Sequence, residues 1–102
     1  MNGHYILDVD GNPVEADILT WAQYFGSQDR TIARTELPDG VTVSTVFLGL
    51  DHALGGGPPL LFETMIFGGP LDETQDRYST RQSALDGHAY YVRAAQAEAL
   101  PE

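Results

Sequence analysis

The sequence predicts an α+β domain in which an antiparallel sheet of four or five strands packs against two helices, in the order β-α-β-β-β-α. Residues 30–50 and 60–67 are alternating or apolar and rich in β-branched residues, which is typical of strands. Residues 17–26 and 80–99 instead repeat their apolar positions with the period of a helix. A chain of 102 residues suits one hydrophobic core, so we expect residues 1–102 to form a single α+β domain.

The N-terminal part predicts a short hairpin followed by a helix. Residues 5–14 alternate weakly around the turn cluster DGNP, which indicates a hairpin or a bent first strand. Asp17 then supplies a suitable N-cap for a helix over 17–26. The apolar residues of one helical face follow at the expected spacing: Ile18, Trp21, Ala22 and Phe25. We therefore expect Trp21 and Phe25 to be core residues.

The central strands are predicted from their alternation and from the turn between them. Residues 30–37 and 41–50 flank the sequence Pro38-Asp39-Gly40, which favours a hairpin. The strand 60–67 has apolar residues on both faces, which favours a position inside the sheet. Its two faces contain Leu61, Glu63, Met65 and Phe67 on one side and Leu60, Phe62, Thr64 and Ile66 on the other.

A short edge strand and a second helix complete the predicted order. The segment RYST (77–80) follows an acidic loop and indicates the edge strand. Ser79 or Thr80 then caps a helix that ends near Ala99. The apolar stripe of this helix consists of Ala84, Leu85, His88, Val92 and Ala95. His88 is therefore expected to face the sheet.

The charge balance of the chain is strongly acidic. Fifteen acidic residues stand against five arginines and no lysine, for a formal net charge of −10. Such a surface repels phosphate backbones, so we expect no direct binding of nucleic acid. The acidity either serves only to keep the protein soluble or attracts a partner with a basic surface, such as a host protein. The absence of cysteine excludes thiolate chemistry and disulfides and fits a reducing cytosol. No signal-like or membrane-spanning apolar run is visible, so we expect a cytoplasmic protein with no membrane partner.

Two loops are the candidate contact surface for such a partner. The loop GGGPP (55–59) lacks the lysine of a phosphate-binding loop, but its glycines permit positive φ angles and its prolines stiffen the return into the next strand. One interpretation is an ordered turn, and the other is a rigid surface that presents exposed backbone to a partner. The acidic loop 70–76 lies at the other end of the strand 60–67. The predicted partner-binding residues are Asp51, His52, Gly55, Gly56, Gly57, Asp72, Glu73 and Asp76.

A metal site is an alternative use of four polar residues. Asp51, His52, Glu63 and His88 offer carboxylate and imidazole ligands, which suit a hydrolase if one position stays open for water. The other interpretation is structural: His88 is a hydrogen-bonded core histidine, His88 or an arginine satisfies Glu63, and His52 lies at the surface. The spacing matches no known metal motif, so we expect no cofactor.

Several segments of the chain together resemble a known family. They are YILD, DGNPVEADILTWAQYF, STVFLGLDH, GPPLLFETMIFGG, RYST and ALDGH. In this combination the chain resembles, along nearly its whole length, a family of small proteins encoded in tailed-phage and prophage genomes. The resemblance implies a phage accessory gene that is expressed in a bacterial cytoplasm, and it implies no activity, cofactor or catalytic residue.

Three hypotheses about function follow from these observations. The first is a non-enzymatic protein that binds a basic host protein, with a host defence nuclease as one class of target. The second is a small metal-dependent hydrolase or nucleotide-processing enzyme that uses the four residues above. The third is a structural or assembly factor that acts as a homodimer. Small acidic phage proteins without cysteine commonly bind a host macromolecule, so the resemblance favours the first hypothesis, with the protein as a monomer or a homodimer.

Overall fold

The chain folds into a four-stranded antiparallel sheet, a two-stranded hairpin and two helices. The computed structural model describes residues 3–53 and 56–99. The elements are β1 (Tyr5–Leu7), β2 (Pro13–Glu15), α1 (Ile18–Ser27), β3 (Thr31–Leu37), β4 (Val41–Phe47), β5 (Phe62–Phe67), β6 (Gln75–Tyr78) and α2 (Arg81–Ala99). The predicted α+β class is therefore confirmed. Within the described residues, neither helix is long and apolar enough to cross a membrane.

The first two strands form a separate hairpin, as one of the two sequence-based alternatives predicted. The Asp8 carboxylate closes its turn by accepting hydrogen bonds at 2.9 Å from the backbone N–H groups of Asp10 and Asn12. An isolated bridge between His4 and Leu50 joins the residue before β1 to the segment that follows β4. The hairpin thus lies beside the chain that leads into the loop containing Asp51.

The four-stranded sheet has the order β3-β4-β5-β6, with β4 and β5 in the middle. Side chains alternate between buried and half-buried along β4, as a strand with two different faces requires. Val43, Phe47, Phe62 and Ile66 are completely buried on the same face. The strand predicted over 41–50 ends at Phe47, and Gly49 follows with a φ of 76° that favours glycine.

Helix α2 covers the buried face of the sheet. It packs mainly on β4 and β5, and its buried residues Ala84 and Ala95 belong to the two hydrophobic clusters of the core. Gly87 lets the helix approach β6, because a Cβ atom at this position would overlap the Tyr78 ring. Small residues on one side of the helix therefore allow close contact with the sheet.

Helix α1 differs from its prediction, because it has no fully buried residue. Its predicted N-cap is confirmed: the Asp17 carboxylate accepts a hydrogen bond of 2.8 Å from the Thr20 backbone N–H. Trp21 and Phe25, which we expected in the core, are half-buried at its edge. The Phe25 ring lies against Gly49, and the Trp21 indole N–H donates to the Gly49 carbonyl at 3.1 Å. The helix thus packs at one end of the sheet, where water reaches most of its surface.

Candidate protein-binding surface

A chain of hydrogen bonds crosses the sheet beneath α2 and engages both ring nitrogens of His88. The Thr45 hydroxyl is 2.6 Å from the Thr64 hydroxyl and 2.8 Å from Nδ1 of His88. Nε2 of His88 is 2.9 Å from the Thr35 hydroxyl. Burial lowers the pKa of His88 below its ordinary value of 6.5, which favours the neutral ring. These contacts agree with the interpretation of His88 as a hydrogen-bonded core histidine.

Glu63 lies on the opposite face of the sheet from His88. It is the cross-strand neighbour of Arg77, whose Nε donates to a Glu63 carboxylate oxygen at 3.0 Å. Its side chain is mostly buried, so this ion pair removes much of the cost of burying the carboxylate. Of the two partners that the sequence suggested for Glu63, the structure selects the arginine.

Asp51 and His52 form the neck of the glycine–proline loop. The Asp51 carboxylate accepts hydrogen bonds from the backbone N–H groups of Ala53 at 2.8 Å and Leu60 at 3.1 Å. The backbone N–H of His52 donates to the Leu60 carbonyl at 3.0 Å. Asp51 therefore holds both sides of the loop together. Gly56 and Gly57 are exposed with positive φ angles, whereas Gly55 lies outside the described residues.

The four residues of the metal alternative are not brought together. Asp51 and His52 lie at one end of the sheet, while Glu63 and His88 are on opposite faces of it. In residues 3–53 and 56–99, no three acidic or histidine side chains form a group that could hold a metal ion. The polar atoms of Asp51, Glu63 and His88 instead bind groups of the fold itself.

Asp72 and Glu73 of the second predicted contact loop lie at the other end of β5, whereas Asp76, which was also expected in this loop, lies on β6 opposite Thr64. The Asp72 carboxylate accepts the Gly68 backbone N–H at 2.7 Å, and Asp76 accepts the Tyr91 hydroxyl at 3.1 Å. Burial and the Asp76 carboxylate raise the pKa of Tyr91 to about 12, so this hydroxyl stays a donor. Glu73 is exposed, with a φ of 69°. Asp72 and Asp76 thus have structural roles. Glu73 is the one of the three predicted contact acids whose side chain the structure shows in no hydrogen bond.

The hairpin and the start of α1 form an exposed surface that sequence analysis missed. We call residues 8–19 the acidic–apolar segment, because exposed carboxylates alternate there with exposed apolar side chains. The exposed fractions are 99% for Val9, 60% for Ile18 and 74% for Leu19. The exposed acidic residues are Asp8, Asp10, Glu15 and Asp17, and no arginine or lysine precedes Arg30 in the sequence. Assigning Ile18 to a buried helical face concealed this surface, although Leu19 never fitted that face.

Most of the arginines are occupied by contacts within the chain. Arg77 pairs with Glu63, and Arg34 lies 3.7 Å from Glu36. The Arg30 guanidinium lies 4.6 Å from the centre of the Phe25 ring, and the Arg81 side chain lies against Gly11. The chain thus uses much of its limited positive charge for local contacts, and the surface it shows to a partner is dominated by carboxylates.

A recess of about 180 Å³ opens beside the start of β3, lined by Asp29, Arg30, Thr31, Val46, Phe47 and Leu48. Sites for small organic ligands commonly enclose about 300–1,000 Å³, so this recess is small for a substrate. Its carboxylate is also engaged, because Asp29 accepts a hydrogen bond of 2.9 Å from the Thr31 backbone N–H. The recess therefore adds little to the enzyme hypothesis.

The fold and this surface define a small α+β protein in which one helix covers one face of an antiparallel sheet. Comparison of the chain with protein-family profiles, curated proteins and solved structures found no significant match.

Proposed function

We propose that this is a non-enzymatic binding protein whose partner is a basic protein, and that the acidic–apolar segment is the main contact surface. The observation that carries the proposal is the exposure of Val9, Ile18 and Leu19 among four exposed carboxylates. Exposed apolar side chains contribute binding free energy when they are desolvated, while the surrounding charges select the partner. The two properties occur together in residues 8–19.

Electrostatic attraction supports a basic partner in particular. The net charge of −10 gives the protein a negative field that steers basic surfaces towards it and repels acidic ones. Carboxylates at the rim of an interface mainly raise the association rate, whereas buried apolar contacts slow dissociation. We therefore propose that the carboxylates raise the association rate and that Ile18 and Leu19 slow dissociation.

Part of the sequence-predicted contact surface adjoins the acidic–apolar segment. The Asp51 backbone N–H donates to the Gly3 carbonyl at 3.1 Å, and the Ala16 N–H donates to the His4 carbonyl at 3.0 Å. The neck of the loop 51–57 is therefore connected through residues 3 and 4 to the end of β2. We include Asp51, His52, Gly56 and Gly57 in the proposed surface. We place Asp72 and Glu73 outside it because they lie at the far end of β5, and Asp76 because it lies on β6 and its carboxylate accepts the Tyr91 hydroxyl.

The resemblance to phage and prophage proteins suggests a partner in the bacterial host. A defence nuclease is one class of protein that fits the proposal, because nucleic-acid-binding surfaces are basic. An acidic protein that occupies such a surface excludes the nucleic acid by competition. Inhibition of this kind requires no catalytic residue in the inhibitor, which agrees with the structural roles of Glu63 and His88.

The proposal is tested by quantitative capture from a cytoplasmic extract of a candidate host. Bait proteins are the wild type, the apolar variant Ile18→Ser/Leu19→Ser, and the acidic variant Asp10→Asn/Glu15→Gln. We expect a basic protein that the wild type retains and both variants lose. Surface plasmon resonance with that protein should show a slower association for the acidic variant and a faster dissociation for the apolar variant.

Control substitutions outside the segment distinguish binding through this surface from nonspecific binding. Tyr90→Ser removes an exposed aromatic side chain from α2, and Glu98→Gln removes one negative charge from the same helix. Both controls should bind as the wild type does. The proposal is wrong if no protein distinguishes the wild type from the two segment variants, or if the retained protein binds equally well at low and high salt.

A further inference from the structure

The outer face of the sheet has no helix packed on it in the described part of the chain. Helix α2 packs broadly against the four strands, and it lies on the face that contains Val43, Thr45 and Ile66. The register places the outward residues in three rows across the strands. The rows are Glu36–Thr42–Phe67, Arg34–Ser44–Met65–Gln75 and Thr31–Val46–Glu63–Arg77.

The inner strands place both apolar and polar side chains on this outer face, and the polar ones are Thr42, Ser44 and the ion-paired Glu63. Val46 and Met65 on the inner strands are half-buried, and Phe67 is 49% exposed. Arg34 and Glu36 lie on the edge strand β3, and Arg77 lies on the edge strand β6. Such a mixture is compatible with a protein–protein interface, because interfaces as a whole are only about as apolar as the rest of a protein surface.

The outer face differs from the rest of the molecule in its charge. Two of the five arginines and two of the fifteen acidic residues lie on this face, so their charges cancel. They are Arg34, Arg77, Glu36 and Glu63. The remainder of the chain carries the whole net charge of −10. Two copies of such a protein repel each other through every strongly acidic surface, but this neutral face opposes their association least.

We propose that two copies of the chain form a symmetric dimer by packing their outer sheet faces together. A two-fold axis parallel to the strands places β3 of one copy over β6 of the other. The edge that contains Arg34 and Glu36 then meets the edge that contains Arg77 and Gln75. Val46, Met65 and Phe67 of both copies lie within the interface among polar side chains of the inner strands, and each copy contributes the same surface, as a two-fold dimer requires.

The size of the face sets the expected strength of the dimer. Four strands of about six residues measure about 20 Å along the strands and about 19 Å across them. Two such faces bury roughly 800–1,200 Å² in total, at the lower limit of specific interfaces. The dimer should therefore dissociate on dilution. It leaves the acidic–apolar segment of both copies free, and it stands independently of the proposed function.

Sedimentation velocity of the full chain over a concentration series tests the dimer. The mass should rise from the monomer value of 11.1 kDa towards twice that value, and added salt should favour the dimer by screening the repulsion between copies. Phe67→Ser removes the most exposed apolar contact, and Arg34→Glu destroys the charge balance at the edge. Each substitution should weaken the dimer at least tenfold.

Two variants on α2 serve as controls, because their side chains are exposed on the other side of the molecule. Tyr90→Ser matches the loss of an aromatic ring, and Arg93→Glu matches the charge reversal. Thermal unfolding confirms that all four variants fold. A protein that stays monomeric at every concentration, or a dimer that Phe67→Ser and Arg34→Glu leave unchanged, overturns the proposal. Salt should strengthen the dimer but weaken binding of a basic partner, so the two proposals can fail separately.

Discussion

At the scale of single residues, the hydrogen bonds and burial of His88 determine its protonation state. Both of its ring nitrogens are hydrogen-bonded to threonine hydroxyls, Thr45 on β4 and Thr35 on β3, and neither partner carries a negative charge. A neutral histidine satisfies this arrangement, because one nitrogen donates and the other accepts while the hydroxyls rotate to match. A protonated ring would place a positive charge under α2 without a carboxylate to balance it.

The pKa of His88 predicts a loss of stability in mild acid. Burial lowers this pKa in the folded protein, so the unfolded chain takes up the proton first as the pH falls below 6.5. The contribution of His88 to stability is thus fully present above 6.5 and is lost as the pH falls towards the folded pKa. Urea unfolding at about pH 7.5 and about pH 5 measures the difference.

The variant His88→Leu keeps an apolar volume at this position but cannot titrate. Its free energy of unfolding should fall less than that of the wild type between the two pH values. At neutral pH it should be about 1–3 kcal/mol less stable, since Thr35 loses its partner and Thr45 loses one of two. The control His52→Leu removes a histidine outside the core and should leave the stability at neutral pH within about 0.5 kcal/mol of the wild type. Equal pH dependence in the wild type and His88→Leu would contradict the assignment.

The roles of single residues were harder to predict than the elements that contain them. Alternation along β5 places Glu63 and Thr64 on opposite faces of the strand. Both faces also contain large apolar residues, so the sequence could not indicate which face the helix covers. The register settles it, because Thr64 pairs with Thr45, which also binds His88. Such long-range pairing leaves no local signal in a single sequence.

At the scale of elements, the two helices differ in how firmly the sheet holds them. Helix α2 buries Ala84, His88 and Ala95, whereas α1 buries no residue completely. The periodicity of residues 17–26 predicted the helix and its N-cap correctly, because those features are local. The pattern could not show that α1 lies at the end of the sheet, where Trp21, Tyr24 and Phe25 contact other elements.

The position of α1 predicts that Trp21 contributes less to stability than a core aromatic does. Trp21→Ala should lower the free energy of unfolding by about 1–2 kcal/mol, because its ring is half-buried and its indole N–H is hydrogen-bonded to the Gly49 carbonyl. Phe47→Ala should cost about 3–5 kcal/mol, because Phe47 is completely buried. Urea unfolding of both variants gives the comparison. Equal losses would mean that α1 is as firmly integrated as the central sheet.

At the scale of the whole molecule, the carboxylates divide into two groups. The first group accepts backbone N–H groups at turns, at a helix start and within β6, and its members are Asp8, Asp17, Asp29, Asp51, Asp72 and Asp76. Glu73 represents the second group, since it is exposed and the structure shows no hydrogen bond or ion pair to its side chain. Charges of the first group stabilise loops, whereas those of the second mainly add repulsion to a protein with a net charge of −10.

This division predicts opposite effects for two substitutions that each remove one negative charge. Asp51→Asn should lower the free energy of unfolding by about 1 kcal/mol, because a neutral acceptor holds the Ala53 and Leu60 N–H groups less strongly. Glu73→Gln should leave stability unchanged or raise it by up to about 0.5 kcal/mol, because it relieves repulsion.

Thermal unfolding at low and high salt distinguishes the two causes. Salt should stabilise the wild type and remove any gain from Glu73→Gln, whereas the loss in Asp51→Asn should persist, since a short hydrogen bond is poorly screened. A wild type that salt destabilises, or equal effects of the two substitutions, would mean that repulsion between carboxylates does not limit the stability of this fold.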